Sequence, residues 1–252
     1  MTIVLLTALG VGGATIIGAL IGFIFKNISH KLSDLILSFA AGVMMCAAVY
    51  GLIMPSVELG TKLPVFVTIL GVFSGAFLLN IMDKAVPHLH RLSGADIESH
   101  PGSADKINKI LLFVMAIAIH NLPEGIAAGV GFGTNNTAEA FTIAGGIALQ
   151  NIPEGMVIIA PMIAAGMSKK RTLLIASFTG IIEIIGTFIG YFAVSISNAL
   201  LPFALAFAGG TMLYVISDEM IPETHSHGGE RGSTYMLLAG FCLMLIIDFY
   251  LG

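Results

Sequence analysis

The chain has 252 residues, of which 56% are hydrophobic and 10% charged, with a formal net charge of −4. Soluble domains carry charge on about 25% of their residues, so this composition excludes an ordinary soluble globular protein. The net charge itself says little about partners, because a lipid-embedded chain is not read by it, and no nucleic-acid partner is expected.

No charged side chain occurs from Thr2 to Phe25, from Leu35 to Val57 or from Leu63 to Met82. About 20 apolar residues span a bilayer core as a helix. The first run lacks the basic leader of a cleavable signal and reads as a span. Continuing along the chain, the pattern predicts an all-α polytopic protein with eight spans at 3–25, 34–56, 64–83, 107–131, 138–166, 172–196, 200–221 and 234–251. Residues 84–106 form a loop, flexible from Ser93 to Asp105. The long apolar run after Arg171 divides at Ser195, Ser197, Asn198 and Pro202. Cys46 and Cys242 lie inside apolar runs and read as small packing residues. The loops are too short for a soluble domain, so residues 1–252 form one membrane unit.

Basic residues set the orientation. Lys26, Lys31, Lys84, Arg91, Lys106, Lys109, Lys169, Lys170, Arg171 and Arg231 follow the odd-numbered spans, and only Lys62 lies on the other side. Both termini are therefore expected outside, with the odd-numbered loops in the cytoplasm.

Two internal repeats are visible. Ile117-Ala118-Ile119-His120-Asn121-Leu122-Pro123-Glu124-Gly125 matches Ile147-Ala148-Leu149-Gln150-Asn151-Ile152-Pro153-Glu154-Gly155. Phe39-Ala40-Ala41-Gly42-Val43-Met44 matches Phe207-Ala208-Gly209-Gly210-Thr211-Met212, continuing loosely to Met54-Pro55 and Ile221-Pro222. Each match joins oppositely directed spans. They suggest an inverted repeat of spans 1–3 and 6–8 around a central 4–5 pair, a transporter signature.

Charged groups at the bilayer centre cost about 2.5–3.5 kcal/mol on insertion scales, so each is a functional candidate. Here they are His120, Glu124, Glu154 and Glu183, accompanied by Asn121, Gln150 and Asn151. His120 and Glu124 share one helix face, and Asn121 and Asn151 each lie one turn from a glutamate. Three carboxylates without a basic partner are either protonated or separated by a cation. Pro123 and Pro153 free the carbonyls of Ile119 and Leu149, which is expected to bend each helix at its ligands. Imidazole, carboxylate and amide donors suit zinc and other first-row divalent metals. A polar network gluing helices and a proton relay are the alternatives.

The paired His-Asn-Leu-Pro-Glu-Gly and Gln-Asn-Ile-Pro-Glu-Gly stretches resemble the ZIP (Zrt/Irt-like) family of metal-ion transporters, especially its bacterial GufA-like branch. The resemblance implies a binuclear metal centre in a bundle of spans 2, 4, 5 and 7, and an elevator-like movement of that bundle. It implies that His120 and Glu124 ligate one metal and Asn121 a second, with Glu124 and Glu154 bridging. Glu183 would complete the second site, and Met44, or its neighbour Met45, would face the first. Asn151 stands where bacterial relatives carry Asp, and Gln150 where many members have His. The lost charge implies a weaker second site.

Glu58, Glu139 and Asp248 lie at the expected outer ends. Glu58 and Asp248 are entrance candidates, where a cation would arrive. Asp83, Asp218 and Glu219 lie at the cytoplasmic ends, and His30, His88, His90, His100, His225 and His227 on cytoplasmic loops. His88-x-His90 and His225-x-His227 can each grip a soft divalent ion. By the resemblance, Asp83, Asp218, Glu219 and these histidines form an exit path or a feedback sensor.

The sequence thus reads as a transporter, not an enzyme, in the cell membrane of a bacterium (the inner membrane). It moves Zn2+ into the cytoplasm, with Cd2+, Fe2+ and Mn2+ as further candidate cargoes. A homodimer is left open by the resemblance. The rivals are a metal-gated channel and an intramembrane metallohydrolase, the latter disfavoured by a single intramembrane histidine.

Overall fold

A computed structural model describes residues 1–25, 29–60, 62–85, 119–134, 136–164 and 166–251. Among the described residues all regular structure is helical. The helices are α1 (Thr2–Ile24), α2 (His30–Leu59), α3 (Pro64–Ala85), α4 (119–131), α5 (Thr137–Ala164), α6 (Lys169–Ile196), α7 (Leu201–His225) and α8 (Glu230–Leu251). All but α4 are long and apolar enough to cross a membrane, which gives seven such helices. The chain is a multi-pass membrane protein. α4 is the second half of the span expected at 107–131, whose first twelve positions lie outside the described residues.

Two helices, α2 and α6, start earlier than their apolar runs, because serines cap them. The Ser29 hydroxyl accepts from the Leu32 amide at 3.3 Å, and the Ser168 hydroxyl from the Arg171 amide at 3.4 Å. Each satisfies an amide that the first turn leaves unpaired. The chain reverses after α5 and α7 at Gly166 (φ 87°) and Gly228 (φ 80°), left-handed positions that favour glycine.

Among the seven helices of membrane-crossing length, α2 and α7 are the most buried: 61% of each apolar window is buried, against 22% for α3 and 11% for α8. The main apolar core is drawn chiefly from α2, α4, α5 and α7 and includes Met44, Leu52, Ala127, Ile147, Leu205 and Met212. Phe66, Phe73 and Phe77 on α3, and Ile246 and Phe249 on α8, are exposed, as suits lipid-facing surfaces. Cys46 is buried, but Cys242 lies on an exposed face of α8. Its apolar surroundings are therefore those of an outward face, not of the core.

Glycines set how the helices meet, and they do so twice in the same register. Gly42 of α2 abuts the Leu237 carbonyl of α8, and Gly210 of α7 abuts the Val72 carbonyl of α3. Gly240 meets the Phe39 carbonyl as Gly75 meets that of Phe207. Gly18 of α1 meets Ile152 of α5, as Gly186 of α6 meets Leu122 of α4, and Gly12 and Gly180 abut each other. In each case a Cβ would overlap backbone, so small residues permit these crossings. The register also aligns Gly12 to Phe23 with Gly180 to Tyr191, both reading Gly at the first, seventh and eleventh positions. This third repeat is hidden in apolar composition until the contacts pick it out.

The prolines differ in what accompanies them. α4 and α5 remain helical through Pro123 and Pro153. Widened π turns occupy Ala47–Ile53 in α2 and Ile216–Met220 in α7. Each immediately precedes Met54-Pro55 or Ile221-Pro222. Proline lacks an N–H and its ring displaces the carbonyl four residues back, and a turn of π-helix absorbs the mismatch.

Candidate functional site

Glu183 is the hub of the central polar cluster. Its Oε1 accepts the Thr15 hydroxyl at 2.8 Å and the Asn121 side-chain amide, and its Oε2 accepts the Asn151 amide at 2.8 Å. Asn151 also donates to the Val11 carbonyl at 3.2 Å. The motif glycines allow this convergence. Gly125 lies against the Glu183 carbonyl of α6, and Gly155 lies against the Thr15 carbonyl of α1. Within each Asn-x-Pro-Glu-Gly stretch, the glycine brings the helix close and the asparagine then reaches across. Thr15 occupies in α1 the register that Glu183 occupies in α6. It is a site residue that sequence reasoning missed, and the only available signal was a lone hydroxyl in the shared glycine pattern.

Beside this hub lies a set of buried polar atoms that make no close hydrogen bond among the described residues. They are both carboxylate oxygens of Glu124, both amide atoms of Gln150 and Oδ1 of Asn151. Gln150 lies against Glu124, and the charges of Glu154 and Glu183 act on it. Leaving a buried polar group unpaired costs about 1–3 kcal/mol, and more for a charged one. Glu154 is half-buried and within electrostatic reach of His120. Among the described residues no three His, Cys, Asp or Glu side chains yet converge on one ion-sized point. Of the candidate donors, Glu183 and His120 are engaged in hydrogen bonds of their own.

His120 Nε2 lies 2.8 Å from Glu219 Oε1, each side chain about 19% exposed. The π turn of α7 thus carries Glu219, expected on an exit path, up to a residue expected at the centre. Asp218, its neighbour, is exposed. Met44 is fully buried in the core beside α7, with Met45 packed against it. Glu58 is exposed and Asp248 half-buried, and both act electrostatically on Glu139, so the three carboxylates share one end of the bundle. Asp83 lies in the last turn of α3. His225 is engaged locally: its Nδ1 lies 2.8 Å from the Ile221 carbonyl and its Nε2 3.2 Å from Thr234 Oγ1. His227 lies 3.3 Å from Asp34. His88, His90 and His100 lie outside the described residues.

The family model described as "ZIP Zinc transporter" matches residues 96–248. Zinc transporter GufA of Myxococcus xanthus is 40% identical, over 98% of each chain. Zinc transporter ZIPB of Bordetella bronchiseptica is 35% identical, over 95% of this chain and 78% of its own. Zinc transporter ZupT of Chlorobaculum parvum is 33% identical, over 93% of this chain and 92% of its own. A carboxylate, amide and imidazole cluster packed among long apolar helices and full-length likeness to these proteins agree: the chain belongs to the ZIP zinc transporter family, in its GufA-like bacterial branch, a family of transporters and not of enzymes.

Proposed function

We propose that this protein transports divalent metal, zinc foremost, across the cell membrane of a bacterium and into its cytoplasm. The cargo binds between α4 and α5. The observation that carries this reading is the set of five buried atoms on Glu124, Gln150 and Asn151 that make no close hydrogen bond among the described residues. A cation approached by Glu124, Glu154 and His120 would satisfy carboxylate oxygens that only the Gln150 amide faces and would offset the clustered negative charge. Gln150 and the soft sulfur of Met44 would complete the shell. Such donors suit zinc, with Cd2+, Fe2+ and Mn2+ as competitors.

The second metal position is reached by Asn121, Asn151 and Glu183. Here both asparagines turn N–H groups toward Glu183, so an ion there would first displace two hydrogen bonds. One ion per transport cycle is the reading this supports.

We read the eight helices as spans with both termini outside, in a 3+2+3 inverted repeat. The paired glycine contacts and the basic-residue asymmetry support it. Each glycine-lined crossing between α1 and α5, α4 and α6, α3 and α7, or α2 and α8 joins one helix of the α2, α4, α5, α7 group to one outside it. Small-residue surfaces of this kind suit sliding of that group against a frame, an elevator-like exchange of access. Glu58, Glu139 and Asp248 would receive the cation, and Glu219, Asp218 and Asp83 would pass it on. The test is zinc uptake into liposomes: Glu154→Ala should lower the rate at least tenfold, and undiminished uptake would sink the proposed site. Saturable flux separates a carrier from a metal-gated channel.

A further inference from the structure

A second set of ligand-type side chains lies far along α2 from the central cluster. Asp34, in the second turn of α2, is buried, with only 7% of its side chain exposed. Its Oδ1 lies 3.3 Å from Nδ1 of His227, in the turn between α7 and α8, while its Oδ2 has no hydrogen-bond partner among the described residues. The Ser38 hydroxyl, one turn further along α2, is also buried with no partner among them. His30, one turn back, stacks on His227 with ring centroids 5.2 Å apart.

The Asp34–His227 spacing is informative. An N–H···O hydrogen bond is usually about 2.7–3.2 Å long. Two ligands of one tetrahedral zinc, each about 2.0–2.2 Å from the ion, stand roughly 3.3–3.5 Å apart. A buried carboxylate needs a compensating charge, and the aligned imidazole is the group closest to supplying a ligand. The adjoining cleft is lined by Lys31, Glu230 and Arg231 together with glycines. Its two cationic side chains would weaken the hold on a bound cation and so favour exchange.

We propose that Asp34 and His227, with the exposed His30 ring swinging in as third ligand, form a divalent-metal site at this end of the bundle, separate from the central cluster. Its role as a release or sensing station rests on the transport reading; its existence does not. Two of the three ligands stand at ligand spacing, and the exposed His30 ring, 5.2 Å from that of His227, is the nearby group that would supply the third.

The test uses the full chain carrying Glu124→Gln, Glu154→Gln, His88→Ala and His90→Ala, titrated with Co2+ by visible absorption and with Zn2+ by calorimetry. One site per chain should remain, and Asp34→Asn or His227→Ala should weaken it by about tenfold or more. Unchanged affinity and stoichiometry in both variants would overturn the proposal. A second measurement needs no substitution: Zn2+ should protect His227 and His30 of the wild-type protein from acylation by diethyl pyrocarbonate. Absence of protection at saturating Zn2+ would equally overturn it. If protection holds while Glu154→Ala leaves uptake intact, this site stands and the central transport reading falls.

Discussion

Replacing Asn151 by Asp changes one atom's chemistry at the hub. In the wild type the Asn151 amide donates to Glu183 Oε2 at 2.8 Å, and a hydrogen bond to a charged acceptor contributes about 1.5–3 kcal/mol. The Asn151→Asp variant would set an anionic oxygen in place of that donor. Two unit charges at that 2.8 Å separation repel by about 6 kcal/mol at an effective dielectric of about 20. Uptake of a shared proton and relaxation of the side chains reduce that figure, so the metal-free protein should lose only part of it. Zinc reverses the sign, because the two carboxylates become a ligand pair. Binding to the folded state adds about 2.7 kcal/mol at one hundred times Kd, and more as affinity rises. Thermal unfolding in a fixed detergent, with chelator or with zinc, reads both effects. The variant should melt below the wild type in chelator and gain more than the wild type from zinc. Equal melting in chelator together with an equal zinc gain would show that charge at this position does not govern the hub.

Thr15→Val keeps the shape and removes the hydroxyl that donates to Glu183; a loss of about 1.5–3 kcal/mol should appear as a lower melting temperature, with Thr15→Ser close to wild type. Gly42→Ala forces a methyl onto the Leu237 carbonyl, whereas a Cβ on Gly145 meets nothing within 4 Å. The first should destabilise by about 1–3 kcal/mol, and the second should be neutral or stabilising by up to about 1 kcal/mol, both read by the same melting assay. Glu219→Gln removes the charge facing His120 and should slow zinc uptake several-fold while leaving the protein folded; an unchanged rate would separate Glu219 from the transport route.

Much of this was legible in the sequence, for physical reasons. Apolar runs of bilayer length mark spans, and the placement of α1 to α3 and α5 to α8 follows them within a few residues. The differences lie at the ends, where Ser29 and Ser168 caps and charged first turns extend helices beyond their apolar stretches. The central residues were legible because charge is costly in lipid. What they bond to was not. Nothing in the local spacing says that Asn121 and Asn151 both turn their amides to Glu183, or that Thr15 joins them. Those bonds depend on crossings set by Gly125 and Gly155. The π turns were not legible: Pro123 and Pro153 lie within continuous helix, whereas Pro55 and Pro222 follow π turns, and the second of these carries Glu219, which meets His120. Asp34 was passed over because a single carboxylate near a helix start reads as a solvated terminus, and its burial comes from the α7–α8 turn folding over it.

The transport reading turns on a carried cation satisfying the buried oxygens of Glu124. Glu124→Gln keeps the volume and removes the charge. Zinc uptake into liposomes by this variant, normalised to folded protein, is the direct measurement. Uptake should be saturable in the wild type and reduced at least tenfold in the variant. A variant that folds and carries zinc at the wild-type rate would contradict the reading.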